Sequence, residues 1–485
     1  MAITKVPNDL ITGQDTGLQT DIALLAFKTQ ANGSLAKYNL ADQIVDSFED
    51  ASGVDASAST GESRDSTKYY SGVSYGSYSV DAITSTGAGT WTCPANTTVA
   101  EILIVAGGGG GGGRYYAGGG GAGGVVHDDD YAVVAGTVYD VTVGVGGTAG
   151  AQDANGGDGA DSVWNVNAEG SGITLTASGG GGGAFNGNNP NATPVGGSGG
   201  GAAGGSGTAL VGGLSDQADF PGATSYGNAG GASPTGNNGG GGGGAGAVGS
   251  NESGAGGGSN GGPGGVGKYF ANFDAYGTDS SNTAGATPGS GSGKGYFGGG
   301  GGGAGGGHTS PTQATGGAGG GGKGSRYDPG NTPNTVGYAN TGGGGGASSH
   351  HGAFSGAEVG KAGGTGIILL RHRSESYNDM TLISTSNTAS SVPSSGDIVL
   401  TYTDGAGTAT INTDIKAWVS RDNGTTYTQG TLASQGTSGG HNIATANSID
   451  ISGQPSGTSM RWKVTTHNQS TSKATRIQAV SLGWA

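Results

Sequence analysis

The chain has 485 residues, of which 32% are hydrophobic and 11% charged, and its formal net charge is −15 at pH 7. These contents are unlike those of a conventional enzyme core or of a charged disordered tail. The acidic balance argues against a nucleic-acid partner, because binding to phosphates needs a basic surface.

Cysteine usage and the start of the chain bear on where the protein is made. The single cysteine, Cys93, excludes an internal disulfide framework, and we interpret it as a small buried apolar residue. The chain does not open with a basic segment followed by an apolar one, and no apolar stretch reaches the roughly 18 residues of a membrane span. We expect a protein made in a cytoplasm, neither exported by a signal peptide nor inserted into a membrane.

The first fifty residues are the only part of the chain with a helical pattern. Leu18, Ile22 and Leu25 follow a helical spacing, and Asn32-Gly33 supplies a stop signal. A second segment, Asn39 to Phe48, carries its apolar residues on one side. Neither segment can bury its apolar face alone, so we expect residues 1–50 to form short helices that dock onto a partner or onto copies of the chain. Residues 51–89 are rich in small polar residues and are predicted to be a linker with a few extended pieces.

Most of the 116 glycines lie in one block, from Ala106 to Gly366. Collagen is excluded because glycine occurs in solid runs, such as Gly107 to Gly113, and not at every third position. A flexible linker would have little use for the aromatic residues between the runs, and a phosphate-cradling loop would need a strand–turn–helix context. We expect an ordered glycine core, in which extended segments pack closely and backbone amides and carbonyls bond to neighbouring segments.

The glycine block is predicted to be a closed module, because β-strands stand at both of its ends. The apolar run Glu101 to Val105 precedes it and Ile367 to Leu370 follows it, while Tyr139 to Val143 and Ile173 to Thr176 are further strands. Pairing between strands from the two ends would make residues 90–373 one glycine-rich domain.

Residues 378–485 show the pattern of an all-β domain. Five or more short alternating segments with turn residues between them predict a β-sandwich or jelly roll. The segments are Asp397 to Tyr402, Thr410 to Ser420, Ser448 to Ile451, Met460 to Thr466 and Arg476 to Leu482.

Three polar patterns could indicate chemical sites, and each has a simpler interpretation. Ser420 to Tyr427 matches the Asp-box of sialidases, which in that family is a structural hairpin turn remote from catalysis. The pair His350-His351 cannot easily bind one metal from an extended chain, since neighbouring side chains point to opposite faces. The triplet Asp128 to Asp130 lacks the spaced oxygen ligands of a calcium site and is interpreted as a solvated turn. We expect no catalytic residues, no metal ligands and no cofactor.

Aromatic residues inserted between the glycine runs are the candidate binding residues. Functional residues concentrate in loops on rigid scaffolds, and rigid rings surrounded by polar residues suit stacking on sugars or gripping a protein. The alternative is that the rings cap glycine layers or pack between subunits. The candidates for receptor contact are Tyr269, Phe270, Phe273, Tyr276, Tyr296, Phe297, Phe185 and Tyr327.

The block resembles the glycine-rich domain of bacteriophage tail fibres and adhesins. The resemblance covers about 280 residues and is carried by Gly89 to Pro94, Glu101 to Gly108, Val141 to Gly147, Gly156 to Ser162 and Gly363 to Arg371. It implies packed polyglycine helices whose loops, at their far end, contact the host receptor. Asp414 to Tyr427 and Ile451 to Trp462 resemble the C-terminal β-domain of phage structural proteins, and residues 1–50 resemble a virion anchor.

These resemblances imply an elongated homotrimer, all-β with a polyglycine core, that acts as a phage tail fibre. It would be made in the host cytoplasm and carried on the virion, where it would bind host-surface polysaccharide or an outer-membrane protein without catalysis. Its other partners would be its own copies and a virion tail or neck protein, bound through the N-terminal segment.

Two alternatives stay open at this point. A structural virion fibre or a decoration protein of head, collar or tail would have the same sequence features without a receptor. An enzyme that degrades host polysaccharide would need paired carboxylates about 5–9.5 Å apart. Acidic residues are sparse in residues 175–365, and no obvious pair stands out there.

Overall fold

The computed structural model describes residues 43–65, 67–114, 116–185, 194–204, 209–235, 238–253, 260–282, 294–305, 312–326, 332–349 and 359–485. Within these ranges the chain forms β-strands, two single-turn 3₁₀ helices and no α-helix, so the all-β expectation is confirmed. None of the helices in the described part of the chain has the length and apolar content needed to cross a membrane. One unit is built from residues before Ser77 together with Glu375–Ala485, and the other from Ser77–Ser374.

Residues 43–76 form strands of the first unit, where a helix and a linker were expected. Ile44 pairs with Leu482 in a strand, and its side chain packs on the core, while Val45 is 41% exposed. The spacing of Ile44 and Phe48, four residues apart, fits a strand as well as a helix. The partner strand lies at the other end of the chain, so no local pattern indicated the pairing. The other expected helix, with Leu18, Ile22 and Leu25, lies outside the described residues. The strands are β1 (Gln43–Asp46), β2 (Ser63–Arg64), β3 (Tyr70–Ser71) and β4 (Val73–Tyr75).

The glycine-rich unit contains two larger antiparallel sheets and one two-stranded sheet. Its strands are β5 (Ser79–Ile83), β6 (Gly87–Thr92), β7 (Val99–Val105), β8 (Val125–Ala132), β9 (Val138–Val143), β10 (Ser162–Trp164), β11 (Leu175–Ala177), β12 (Thr224–Tyr226), β13 (Lys268–Tyr269), β14 (Tyr296–Phe297) and β15 (Ile367–His372). The five-stranded sheet has the order β12-β8-β7-β15-β5, the four-stranded sheet β11-β10-β9-β6, and β13 pairs with β14. The 3₁₀ helices are Glu169–Ser171 and Ala271–Phe273.

Both faces of the five-stranded sheet are covered. Because side chains alternate along a strand, Ile102 and Ile104 of β7 face one way and Leu103 and Val105 the other. The first pair packs in a core with aromatic residues of the four-stranded sheet, namely Trp91, Tyr139 and Trp164. The second pair packs under an aromatic insertion that is described below. As expected, strands from the two ends of the glycine block pair, with Leu103 opposite Leu369.

The strands after the glycine-rich unit complete the first unit. They are β16 (Glu375–Tyr377), β17 (Thr381–Ile383), β18 (Asn387–Thr388), β19 (Ser395–Ala406), β20 (Ile415–Ser420), β21 (Thr428–Gly430), β22 (Ala433–Ser438), β23 (His441–Asp450), β24 (Ser459–Thr466) and β25 (Ala474–Trp484). A seven-stranded sheet has the order β2-β3-β25-β19-β23-β22, with β1 also on β25. A five-stranded sheet has the order β17-β24-β20-β21, with β18 also on β24, and β16 pairs with β4.

One hydrophobic core is shared by the two larger sheets of the first unit. Phe48, from the N-terminal part, is fully buried in it beside Tyr70 and Trp462, with ring centroids 4.8 and 6.2 Å away. Both sheets are open, and their strand order gives no support to the jelly-roll topology that we expected. The unit also extends beyond the expected boundary at residue 378, because residues 43–76 contribute strands and core side chains.

Candidate functional site

The glycine runs form a lattice of extended segments with a three-residue repeat. Along segment 107–113, the amides donate in turn to residues 154–160, 361–364 and 118–121, at N···O distances of 2.8–3.1 Å. Each partner segment recurs at every third residue, as expected for a helix of the polyproline II type with three residues per turn. The expectation of an ordered glycine core is therefore confirmed for these residues.

Segment 118–124 shows how dense the lattice is. Its amides donate to residues 178–184, 240–243 and 342–345, and its carbonyls accept from 106–112, 198–201 and Gly301. Six neighbouring segments therefore surround it. Such spacing leaves no room for side chains, since a Cβ on Gly120 would lie 2.1 Å from the carbonyl oxygen of Gly109.

The glycine segments share one end that is remote from the sheets, which we call the distal end. Segment 178–184 leaves β11 and reaches it after seven residues, about 20 Å at the rise of about 3.1 Å per residue. At this level the amide of Gly118 donates to Ala184, Gly113 to Ala154 and Ser348 to Gly112. Three buried alanines, Ala117, Ala304 and Ala347, form a small apolar cluster there.

Several insertions between glycine segments start and return at the distal end. Arg326 bridges to Thr332 across residues 327–331, and Ser253 bridges to Asn260 across residues 254–259. The described surface at this end includes an ion pair between Arg114 and Asp153, with 2.5 Å between N and O. No local pattern in the sequence indicated this pair, because the two residues lie 39 positions apart in the chain.

The eight candidate aromatic residues do not form one site. Phe185 lies at the distal end, where its amide donates to Oδ1 of Asn155, and Tyr327 lies outside the described residues. The other six belong to one insertion on the five-stranded sheet, at the opposite end of the glycine segments. They are Tyr269, Phe270, Phe273, Tyr276, Tyr296 and Phe297.

Three rings of this insertion pack in the core, as in the packing alternative that the sequence left open for them. Phe270, Phe273 and Phe297 are 7%, 1% and 0% exposed and lie against Leu103 and Val105 of β7. A ring buried in this way has no surface to offer to a ligand. The apolar character of β7 on both faces required a cover, and these phenylalanines supply it.

The tyrosines of the insertion are more accessible. Tyr269 is 43% exposed and lies opposite Tyr296 in the β13–β14 pair, with ring centroids 5.1 Å apart. Tyr276 is partly buried and packs against the edge of the same core. These three residues remain candidates for contact with a partner.

A buried carboxylate ties the insertion to the sheet. Glu101 is 8% exposed and accepts hydrogen bonds from Asn272 of the insertion at 2.9 Å, from Arg371 at 3.0 Å and from the ring of His127 at 3.0 Å. Burial works to raise the pKa of Glu101, but hydrogen bonds from His127, Asn272 and Arg371 keep it below its usual value. Because Asn272 lies between β13 and β14, its hydrogen bond to Glu101 holds the insertion and its rings against the sheet.

The other polar patterns have structural roles or fall outside the described residues. Asp128 to Asp130 lie in β8, not in a turn, with their carboxylates close together and Asp128 buried. Asp422 accepts from the amide of Thr426 at 2.9 Å, and Gly424 has φ 85°, as in the structural turn expected there. Burial raises the pKa of the Cys93 thiol to about 11, in line with an inert buried residue. The pair His350-His351 lies outside the described residues.

Comparison with known families supports the interpretation of the central block. A family model described as a glycine-rich domain matches residues 84–373. No curated protein sequence matches the chain. The matched residues include β6 to β15 and all the glycine segments between them, so they cover the four-stranded sheet and every strand of the five-stranded sheet except β5. Since the match spans more than half of the residues of the chain, the chain belongs to the glycine-rich domain family.

Proposed function

We propose that the chain is a receptor-binding tail fibre of a bacteriophage, which attaches the virion to its host cell by recognition without catalysis. The observation that carries the proposal is the glycine lattice, whose segments return to one distal end with insertions between them. Loops on a rigid scaffold are where binding residues concentrate. The resemblance to phage fibres with polyglycine helices supports the same function.

The energetic cost of the lattice also supports a scaffold role. Ordering glycine costs roughly 0.5–1 kcal/mol more per residue than ordering alanine in regular structure. The dense hydrogen bonding around segment 118–124 offsets this cost, because each interior amide has a partner. A lattice bonded in this way can carry loops between its segments without changing its own packing.

The proposal includes three kinds of partner: a virion protein, further copies of the chain and a host-surface molecule. The N-terminal segment, residues 1–50, would attach to a virion tail or neck protein, and three copies of the chain would assemble as an elongated homotrimer. The distal insertions would contact a host-surface polysaccharide or an outer-membrane protein. The acidic chain would not bind nucleic acid.

A second candidate is a structural fibre or decoration protein without a receptor. The observation that favours it is the burial of Phe270, Phe273 and Phe297, which gives three of the candidate binding residues a packing role. Insertions at the distal end would then contact other virion proteins or solvent. The two candidates differ in whether loss of those insertions affects attachment to cells.

Loop replacement in the full chain separates the two candidates. Replacing residues 327–331 by Asn-Gly keeps the bridge between Arg326 and Thr332, and replacing 350–358 by a short Gly-Ser linker shortens a second insertion. We expect binding of the labelled protein to host cells to fall at least tenfold for either variant. The matched control replaces 283–293, which lie in the chain between β13 and β14 and so belong to the insertion on the sheet, by a short Gly-Ser linker. It should bind as the unaltered protein does.

Unchanged binding in both distal variants would contradict a receptor role for that end. Immunogold labelling of virions with antibody against residues 378–485 then identifies the alternative. Label on the capsid or collar, with adsorption unaffected by the antibody, would establish a structural fibre. Label on the tail appendage, with adsorption blocked, would support the adhesin.

A further inference from the structure

A polar pocket lies on the seven-stranded sheet of the first unit, on the face opposite the hydrophobic core. Its volume is about 240 Å³. Thr401 and Thr403 of β19 and Gln478 of β25 form its floor, because the intervening Leu400, Tyr402 and Ile477 point into the core. Segments 47–49 and 67–69, from before the glycine-rich unit, form its walls.

The charged groups of this pocket leave one cation available. Lys68 is paired with Glu49 at 2.5 Å. Burial lowers the pKa of His441, with Gln478 acting in the opposite direction, so this ring is mainly neutral at pH 7. The guanidinium of Arg476 lies over the ring of Tyr69, 5.0 Å from its centroid, and no carboxylate in the described part of the chain forms an ion pair with it.

Arg476 is also held in place. The Tyr69 ring supports its guanidinium from one side, which limits its freedom without using its hydrogen-bond donors. The neighbouring Asp65 accepts hydrogen bonds from the hydroxyl and amide of Thr67, at 2.6 and 2.8 Å. These bonds, and to a smaller extent the charge of Arg476, lower the pKa of Asp65, but its carboxylate forms no ion pair with Arg476 in the described part of the chain. A planar guanidinium with free donors is suited to bind a carboxylate through two parallel hydrogen bonds.

We propose that this pocket binds an acidic monosaccharide unit, with its carboxylate on Arg476 and its ring hydroxyls on Thr401, Thr403 and Gln478. The volume is below the roughly 300–1,000 Å³ of pockets for drug-sized ligands, which limits the occupant to about one sugar ring. On the floor, Nε2 of Gln478 donates to the hydroxyl of Thr403 at 2.5 Å, and the hydroxyl and amide hydrogens left over match a polyhydroxylated ring. A single cation without an ion pair matches a single carboxylate. The inference rests on the proposed adhesin function only for the source of the sugar, a uronic-acid-containing polysaccharide of the host surface.

Binding of sodium glucuronate and of neutral glucose to the full-length protein tests this site. Titration calorimetry and saturation-transfer NMR should show that glucuronate binds at least tenfold more tightly than glucose. Arg476→Gln should reduce glucuronate affinity at least tenfold, to the level of glucose. Arg373→Gln is the matched control, because Arg373 also lies over a tyrosine ring, 4.9 Å from the centroid of Tyr78 in the other unit. That control should leave glucuronate affinity unchanged.

Two further variants protect the test against loss of folding. Arg476→Lys keeps the positive charge but loses the two parallel donors of the guanidinium, so this variant should bind glucuronate with intermediate affinity. Thr403→Val keeps the cation and should weaken glucuronate and glucose alike. Equal binding of the two sugars to the unaltered protein, or unchanged glucuronate affinity in Arg476→Gln, would overturn the proposal.

The pocket proposal and the adhesin proposal can fail separately, and the two failures give different experimental results. If glucuronate does not bind but the distal loop variants lose cell attachment, the adhesin function stands and the pocket proposal falls. If glucuronate binds through Arg476 but the protein does not attach to cells, the pocket proposal stands and the adhesin function falls.

Discussion

The side of the β13–β14 pair on which an aromatic residue stands decides whether it packs or faces solvent. Tyr269 and Tyr296 are opposite each other on the accessible side, while Phe297 is fully buried against β7. Both kinds of residue looked alike in the sequence, as rings between glycine runs. Because the structure buries one kind of ring and leaves the other accessible, substitutions of the two kinds should have different effects on stability.

Alanine substitution should separate packing rings from accessible rings. Phe297→Ala removes a fully buried ring and should lower the free energy of unfolding by about 3 kcal/mol or more. Tyr269→Ala removes a ring that is 43% exposed and should cost less than about 1 kcal/mol. Calorimetric melting of both variants checks this, and equal shifts in melting temperature would contradict the assignment.

The buried carboxylate of Asp414 should make the stability of the first unit depend on pH. Asp414 is 1% exposed and accepts hydrogen bonds from Lys473, Asn468 and the amide of Thr410, at 2.7, 2.8 and 2.9 Å. Burial alone would raise the pKa of Asp414, but Lys473, Asn468 and Thr410 lower it to about 2, from an unfolded value of 3.8. The folded state therefore binds fewer protons than the unfolded state in this range.

The contribution of Asp414 should be complete above about pH 4 and be lost as the pH falls from about 4 to 2. Asp414→Asn should therefore lower the free energy of unfolding by about 2 kcal/mol at pH 7, with little difference left at pH 2. Urea unfolding at the two pH values measures this. The control Glu62→Gln should follow the unaltered protein, and a pH-independent loss in Asp414→Asn would refute the linkage.

At the scale of elements, the glycine lattice depends on the absence of side chains at interior positions. A Cβ on Gly120 would lie 2.1 Å from a carbonyl oxygen of a neighbouring segment, whereas one on Gly89 would meet a side-chain methyl at 3.5 Å. The first contact is with backbone that is itself fixed by hydrogen bonds, so it cannot be relieved by a change of rotamer. The second is ordinary van der Waals contact.

Gly120→Ala should therefore be strongly destabilising, and Gly89→Ala should be tolerated. We expect a loss of about 3 kcal/mol or more for the first, at or above the range for overpacked cores, and less than about 1 kcal/mol for the second. Hydrogen exchange should show faster exchange for the amides of segments that bond to 118–124 in Gly120→Ala. Equal stability of the two variants would show that the lattice can open to accept a methyl group.

The sequence predicted those elements for which both the element and the segment it pairs with show a clear local pattern. Solid glycine runs indicated the ordered core, and the apolar strands at Glu101 to Val105 and Ile367 to Leu370 indicated its closure. The strand at Gln43–Asp46 could not be found in this way, because its partner, residues 480–483, lies at the other end of the chain. Burial of Phe297 had one signal in the sequence, the run Ile102 to Val105, which is apolar on both faces and so requires two covers.

At the scale of the whole molecule, the glycine-rich unit is inserted into the first unit. Tyr75 pairs with Glu375 and Val73 with Tyr377, so β4 and β16 bring the two points of insertion together. The core of the first unit needs residues from both sides, since Phe48 and Tyr70 pack with Trp462. Residues 375–485 are therefore only part of a folding unit, in contrast to the independent C-terminal domain expected from the sequence.

Excising the insertion tests this architecture. Replacing Gly76–Ser374 by Asn-Gly converts β4 and β16 into a hairpin with a two-residue turn, and this variant should fold with a single cooperative transition. Trp462, fully buried in the shared core, should then give blue-shifted fluorescence. Residues 375–485 alone should lack such a transition, because β1 and β3 no longer cover the edge of β25 and Phe48 leaves a cavity in the core. The isolated C-terminal fragment could instead unfold cooperatively and be as stable as the fused variant. Residues 43–76 would then not be needed for folding, and the expected boundary near residue 378 would be correct.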